Sequence, residues 1–225
     1  MKIALLGAES TGKTQLAHTL AAHLRAADQR AVAIDEYLRE WCEEHARTPQ
    51  PHEQAHIAGE QQTRIEAAAA THDVVIADTT PLMTAVYSEF IFQDTSLHQA
   101  ATAYQRTFDL TLLTGLDMPW QPDGIQRDGE HVRAPVDTLL RQLLQSAGIA
   151  FEVIYGQGEQ RLQSALHALQ RHTQQSTDTT NSIAPRVYSM PATGQNSLKK
   201  WQWNCEKCSD PDCEHRLFSD LTERS

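Results

Sequence analysis

Eight residues near the N-terminus constrain the fold more than any other stretch: Gly7-Ala8-Glu9-Ser10-Thr11-Gly12-Lys13-Thr14. They satisfy the pattern G-x-x-x-x-G-K-[ST] without a mismatch. An apolar run, Lys2–Leu6, precedes them. After them Leu16, Leu20 and Leu24 recur at helical spacing, and no Gly or Pro interrupts Lys13 to Ala27. A strand, a glycine-bounded loop and a helix in this order form the context in which such a loop cradles a polyphosphate. Gly7 and Gly12 permit backbone angles that other residues resist. Main-chain N–H groups and the positive end of the helix can then face the phosphates. On this reading Gly7, Ala8, Glu9, Ser10, Thr11 and Gly12 line the anion, Lys13 reaches the β- and γ-phosphates, and the Thr14 hydroxyl ligates Mg²⁺. The competing reading is a glycine turn without a ligand.

Downstream, strand-like and helix-like segments alternate. Ala31–Asp35, Asp73–Asp78, Asp109–Thr114 and Phe151–Tyr155 read as strands. Glu36–Ala46, His52–Thr71, Pro81–Phe92, Thr95–Arg106, Pro135–Ala147 and Glu159–His172 read as helices. With Lys2–Leu6 this gives a parallel sheet of about five strands with helices on both faces, the α/β class of P-loop kinases. From Thr173 to Ser197 the composition turns to Gln, Ser, Thr, Asn and Pro, which predicts a linker. The expected organisation is a nucleotide-binding domain over 1–172, a linker over 173–197 and a Cys/His tail over 198–225. A hydrophobic fraction of 40% suffices for the core.

Ends of parallel strands deliver side chains to one edge of the sheet, beside the phosphate loop. Asp78 closes the most apolar strand and is expected to hold Mg²⁺; it could instead cap the helix that starts near Pro81. Asp35, Glu36, Tyr37 and Arg39 follow the second strand. Glu36 or Asp35 could accept the proton of an attacking hydroxyl or hold a ribose, and Arg39 could balance phosphate charge. The alternative is an ordinary solvated helix start. The segment Pro119–Arg127, with Trp120, Asp123 and Gly124, reads as a closing loop whose Arg127 would stabilise a transferring phosphoryl group, with Arg133 a second candidate. A plain surface loop with one packing Trp competes with that reading.

In order along residues 1 to about 170, these pieces resemble the nicotinamide riboside kinase domain of the bacterial NadR type. The resemblance rests on Gly-Ala-Glu-Ser-Thr-Gly-Lys-Thr at 7–14, Glu-Tyr-x-Arg at 36–39, and the strand ending in Asp78 with Thr79 after it. It continues with Asp109-Leu-x-x-Leu and Pro119-Trp-x-x-Asp-Gly-x-x-Arg127. It implies an ATP- and Mg-dependent kinase of NAD biosynthesis that phosphorylates the 5′-hydroxyl of nicotinamide riboside. Lys13, Glu36, Asp78 and Arg127 would be the catalytic set, with Asp35, Tyr37, Arg39, Trp120 and Asp123 on the substrate side. A pyridinium ring carries positive charge, which the aromatic faces of Trp120 and Tyr37 would attract. The alternative function is a regulatory P-loop ATPase or nucleotide switch.

Cys205, Cys208, Cys213 and His215 lie outside the resemblance. Three thiolates and an imidazole suit a tetrahedral structural Zn²⁺ and a module that could dock a protein partner. A disordered reduced tail or a redox-active thiol pair are the alternatives. Five basic and six acidic side chains over 198–225 make the tail no basic patch, and a net charge of -10 argues against nucleic-acid binding. No run approaches the roughly 20 apolar residues of a membrane span. A cytoplasmic protein with a small nucleoside substrate is expected.

Overall fold

The computed structural model describes residues 1–121 and 130–181, with side chains through residue 175. The chain divides at Ile183/Ala184 into two units, and the second lies outside the described residues.

Five strands form one parallel sheet: β1 (Lys2–Leu6), β2 (Ala31–Ile34), β3 (Val74–Asp78), β4 (Leu110–Thr114) and β5 (Glu152–Ile154). Their spatial order is β2-β3-β1-β4-β5. β1 is therefore central, with Leu5 opposite Asp78 of β3 and Leu112 of β4. β3 and β4 are buried along their whole length, whereas the edge strands β2 and β5 are partly covered. This explains their near-continuous apolar sequences: a strand covered on both faces has no solvent side to mark with polar residues.

The two faces are nonetheless distinct. Ile3, Leu5 and Ile76 pack with Leu16, Leu20 and Leu24 of α1 (Lys13–Ala26) and with Leu162 and Leu166 of α7 (Glu159–Asn181). Ala4, Leu6, Val75 and Ala77 face the other way, onto α3 (Gln54–Ala69), α4 (Pro81–Phe92) and α6 (Arg133–Ser146). The two-residue period of the strand thus feeds two cores at once. Truncating a fully buried leucine such as Leu20 or Leu140 would cost about 2–5 kcal/mol. A third, smaller cluster joins Tyr37, Trp41 and Cys42 of α2 (Tyr37–His45) to Ile57 of α3.

Some boundaries differ from expectation for identifiable reasons. Glu36 is extended, with φ −67° and ψ 112°, and flanks α2 from outside. A 3₁₀ turn, Pro51–Glu53, precedes α3. α5 (His98–Gln105) starts later than Thr95 because the Asp94 carboxylate accepts the Ser96 N–H at 2.9 Å and holds a turn there. α6 starts ahead of Pro135, which falls in its first turn and forfeits no bond. α7 runs past the composition change at Thr173 as far as Asn181. Gln and Thr tolerate a helix, and no Gly or Pro occurs between Glu159 and Ala184.

Candidate active site

β1 ends at the middle of the sheet, so the loop it feeds opens at the crevice between β3 and β4. The backbone of that loop takes positive φ at Gly7 (144°), Ser10 (54°) and Gly12 (74°). A Cβ on Gly7 would lie 2.2 Å from Thr114 Oγ1 and 3.1 Å from the Thr114 carbonyl, so only glycine lets the ends of β1 and β4 approach this closely. Thr114 in turn supports the loop from beneath: its Oγ1 lies 2.7 Å from Thr11 Oγ1 and 3.1 Å from the Leu6 carbonyl. Thr11 Oγ1 lies 2.7 Å from the Ala8 carbonyl. Lys13 Nζ donates to that same carbonyl at 2.9 Å. The loop tip meets Gln121, whose carbonyl accepts from Ser10 Oγ at 2.7 Å.

Thr14 Oγ1 donates to Asp78 Oδ2 at 2.5 Å. Asp78 is 1% exposed, and its Oδ1 is buried without a hydrogen-bond partner among the described residues. A hydroxyl and a carboxylate in contact, with one carboxylate oxygen left over, is a donor set that fits a hard divalent cation. Asp78 does not cap α4. Thr80 does, accepting the Leu82 N–H at 3.3 Å and donating to Gln105 Oε1 at 2.7 Å.

Glu36 and Arg39 line a cavity of about 640 Å³ that the phosphate loop also lines. Asp35 and Tyr37, the other two residues expected there, are not among its walls. Asp35 is exposed, with an oxygen 2.7 Å from His18 Nε2. Tyr37 turns inward because an aromatic ring at the head of α2 gains more by packing on Trp41 and Ile57. The Arg64 guanidinium lies 4.3 Å from its ring centroid, and burial, then the charge of Glu60, pushes its hydroxyl pKa up. Gln61 joins the two strand-end turns: its Oε1 accepts the Tyr37 N–H at 2.7 Å, and its Nε2 reaches the carbonyls of Asp35 (3.3 Å) and Thr79 (3.4 Å).

Trp120 is half-buried beside Pro119 and Gln121, which line the cavity while Trp120 does not; its indole N–H has no partner among the described residues. Arg133 is buried and donates to the Met118 carbonyl at 2.8 Å, so it braces the segment after β4 and is not a cavity wall. Asp123 and Arg127 lie outside the described residues, as do Cys205, Cys208, Cys213 and His215. Among the described residues no group of three or more His, Cys, Asp or Glu is placed to hold a metal, and no helix is long and apolar enough to cross a membrane.

Several wall residues had no signature in the sequence. Met83, Tyr87 and Ile91 of α4 share one helical stripe on the cavity, and Thr48, Pro49 and Gln50 line it too. Cys42 also lines it; burial first, then the charge of Glu36, pushes the thiol up to about 11. A second hollow of about 170 Å³ shares Gly12, Gln15 and Met118 with the first and continues to Gly158 and Leu162. At its edge Arg161, 3% exposed, reaches the carbonyl of Thr11. The sequence signal that could have pointed to this region is the Gly-x-Gly turn at 156–158, before α7.

The same architecture occurs in solved structures. A NadR protein crystallised in complex with NR matches at 22% identity and a TM-score of 0.59, over 77% of this chain and 51% of that one. Thymidylate kinase from Ehrlichia chaffeensis matches at 16% identity and 0.54, over 76% and 97%. Deoxyadenosine kinase from M. mycoides with bound dATP matches at 14% identity and 0.55, over 76% and 99%. The chain thus spans about half the length of the NadR structure, and the shared feature is the P-loop kinase-like fold. No curated protein matches the sequence significantly. The sequence profile of the AAA domain matches residues 2–161, well over half of the 225 residues, and includes the phosphate loop, Asp78 and Arg161: the chain belongs to the AAA domain family.

Proposed function

We propose that the protein is an ATP- and Mg-dependent kinase that phosphorylates a hydroxyl of a small nucleoside, with nicotinamide riboside as the first candidate and nicotinamide mononucleotide as its product in NAD salvage. The observation that carries this reading is that the phosphate loop opens into a walled cavity of about 640 Å³. An ATPase that uses only water needs no cavity of this size around its phosphate loop. The volume suits a nucleoside together with the terminal phosphates. The neighbours in solved structures support a phosphoryl acceptor of this class, since a NadR protein was crystallised with NR and others are thymidylate and deoxyadenosine kinases.

In this reading Lys13 leaves the Ala8 carbonyl and pairs with the β- and γ-phosphates. Thr14 and Asp78 would hold Mg²⁺, which neutralises charge that develops on the phosphate oxygens. The acceptor hydroxyl attacks the γ-phosphorus, and its proton passes to Glu36 as the new P–O bond forms. The bond to the β,γ-bridging oxygen breaks and ADP departs. Arg39 balances phosphate charge from the same wall as Glu36. Arg127 would add a second cation. The smaller hollow beside Gly12 and Gly158 would receive the nucleoside end of ATP, because it continues from Gly12 of the phosphate loop to the turn that precedes α7. Tyr87 and Phe92, which line the large cavity, replace Tyr37 and Trp120 as the aromatic surfaces for a pyridinium cation.

Single-turnover assay with ATP and nicotinamide riboside tests the proposal, with Lys13→Ala as the blank. Transfer is expected in the wild type, absent in Lys13→Ala, and strongly slowed in Glu36→Ala. ADP release that no nucleoside alters would refute it.

A further inference from the structure

Thr79 combines three features that its neighbours do not share. It has φ 79°, in a region that a β-branched residue rarely enters. It is 3% exposed, yet lines the large cavity. Its hydroxyl oxygen is buried without a hydrogen-bond partner among the described residues. The strained backbone is held from both sides: the Thr79 N–H donates to the Leu5 carbonyl at 3.1 Å, and the Thr79 carbonyl accepts from Gln61 Nε2 at 3.4 Å. Glycine would adopt this φ freely, so what the strained turn delivers is the side chain. A buried hydroxyl that makes no bond is costly until something enters the cavity to meet it.

Its position selects the ligand. Asp78, one residue earlier, already faces Thr14 and the cation side. Thr79 instead heads the stripe Thr79-Met83-Tyr87-Ile91, every member of which lines the cavity. Apart from Thr79 and the Tyr87 hydroxyl the stripe is apolar, suited to a nucleoside. A sugar hydroxyl can both donate to and accept from a threonine hydroxyl, which a phosphate oxygen cannot. We infer that Thr79 Oγ1 hydrogen-bonds a sugar hydroxyl of the acceptor and so sets acceptor affinity, a role distinct from nucleotide and metal binding. The inference rests on the kinase reading above.

Thr79→Val keeps the shape and the branching and removes only the hydroxyl. Three measurements test it: the melting temperature without ligand, KM for ATP and for nicotinamide riboside, and calorimetric titration with nicotinamide riboside and its 5′-deoxy and 2′,3′-dideoxy analogues. The expected results are an unchanged or higher melting temperature, ATP KM within twofold, and acceptor KM and Kd raised at least tenfold. The loss should vanish for whichever analogue lacks the contacted hydroxyl. Acceptor affinity within twofold of wild type, a loss that persists with every analogue, or a parallel rise in ATP KM would overturn the inference and leave the kinase reading standing. A wild type that neither binds nor phosphorylates the nucleoside would overturn both. Thr79→Ser, which keeps the hydroxyl, should retain acceptor affinity within threefold.

Discussion

Arg161, near the start of α7, donates a guanidinium N–H to the main-chain carbonyl of Thr11 in the phosphate loop, 150 residues earlier in the chain. The same side chain donates to the Gly156 carbonyl at 2.7 Å and to Asp117 Oδ1 at 2.6 Å. Asp117 Oδ2 in turn accepts the Gly156 N–H at 2.6 Å. One buried cation thus ties together the phosphate loop, the turn after β4 and the turn after β5. Burial lowers its pKa and Asp117 opposes that shift, yet an arginine stays charged throughout the working pH range.

Arg161→Met should therefore destabilise the protein by about 2–4 kcal/mol, because two carbonyls and the Asp117 carboxylate lose their shared donor. The lower end allows for the part of Asp117 that water can reach. Arg161→Lys restores the charge but not the fork, and should recover less than half of the loss. Urea unfolding of the variants checks this; a difference under about 0.5 kcal/mol would mean that the fork is not what holds the loop.

Gly7→Ala places a methyl 2.2 Å from Thr114 Oγ1 at a φ of 144°. The expected result is loss of Mg-nucleotide binding, together with a stability cost of about 1–3 kcal/mol from backbone strain alone. Adding Thr114→Ala removes the hydroxyl clash but not the strain, so the double variant should regain part of the stability and none of the binding. Thermal melts and fluorescent-nucleotide titration separate the two effects.

The strap between α2 and α3 should carry an acid-sensitive contact. Hydrogen bonds from Arg47, then from the Gln50 N–H, hold the Glu53 carboxyl down at about 2, against an ordinary 4.5. A depressed folded-state pKa gives stability that is fully present above the unfolded value and is lost as pH falls through the folded one. The stability gap between wild type and Glu53→Gln should thus be constant above about pH 5 and shrink toward zero near pH 2. A gap that persists to pH 2 would mean that packing, not charge, is responsible.

Cys42 lines the cavity with a thiol pushed up to about 11, so at pH 8 it is almost wholly protonated. Its alkylation by iodoacetamide should be roughly a hundredfold slower than that of an ordinary exposed thiol at the same pH. Peptide-resolved mass spectrometry distinguishes it from Cys205, Cys208 and Cys213. Rapid modification of Cys42 would contradict the burial described.

The most local features were the most legible. The extent of β1, the start of α1 at Lys13 and the span of α4 match the readings of periodicity and punctuation. Asp78 could be placed at a strand tip because Asp73–Asp78 is apolar throughout its interior. The reading of residues 35–39 as one cluster of site residues failed in part. Asp35 and Glu36 precede α2, and Tyr37 and Arg39 lie on it, where successive side chains turn by about 100°. Of neighbours expected to act together, Glu36 and Arg39 line the cavity, Tyr37 enters the core, and Asp35 meets His18.

What the sequence determined by itself was the phosphate loop and the alternation that makes a parallel sheet, because both depend on residues close together in the chain. Glycines, an apolar strand and a leucine stripe act within a few bonds of one another. Tertiary structure decided everything that depends on distant segments meeting: Thr114 beneath Gly7, Gln61 between two strand ends, Arg161 on Thr11, and Thr79 at the head of the α4 wall. Those pairings follow from strand order. β1 lies between β3 and β4, and no pattern along one strand specifies which others will flank it.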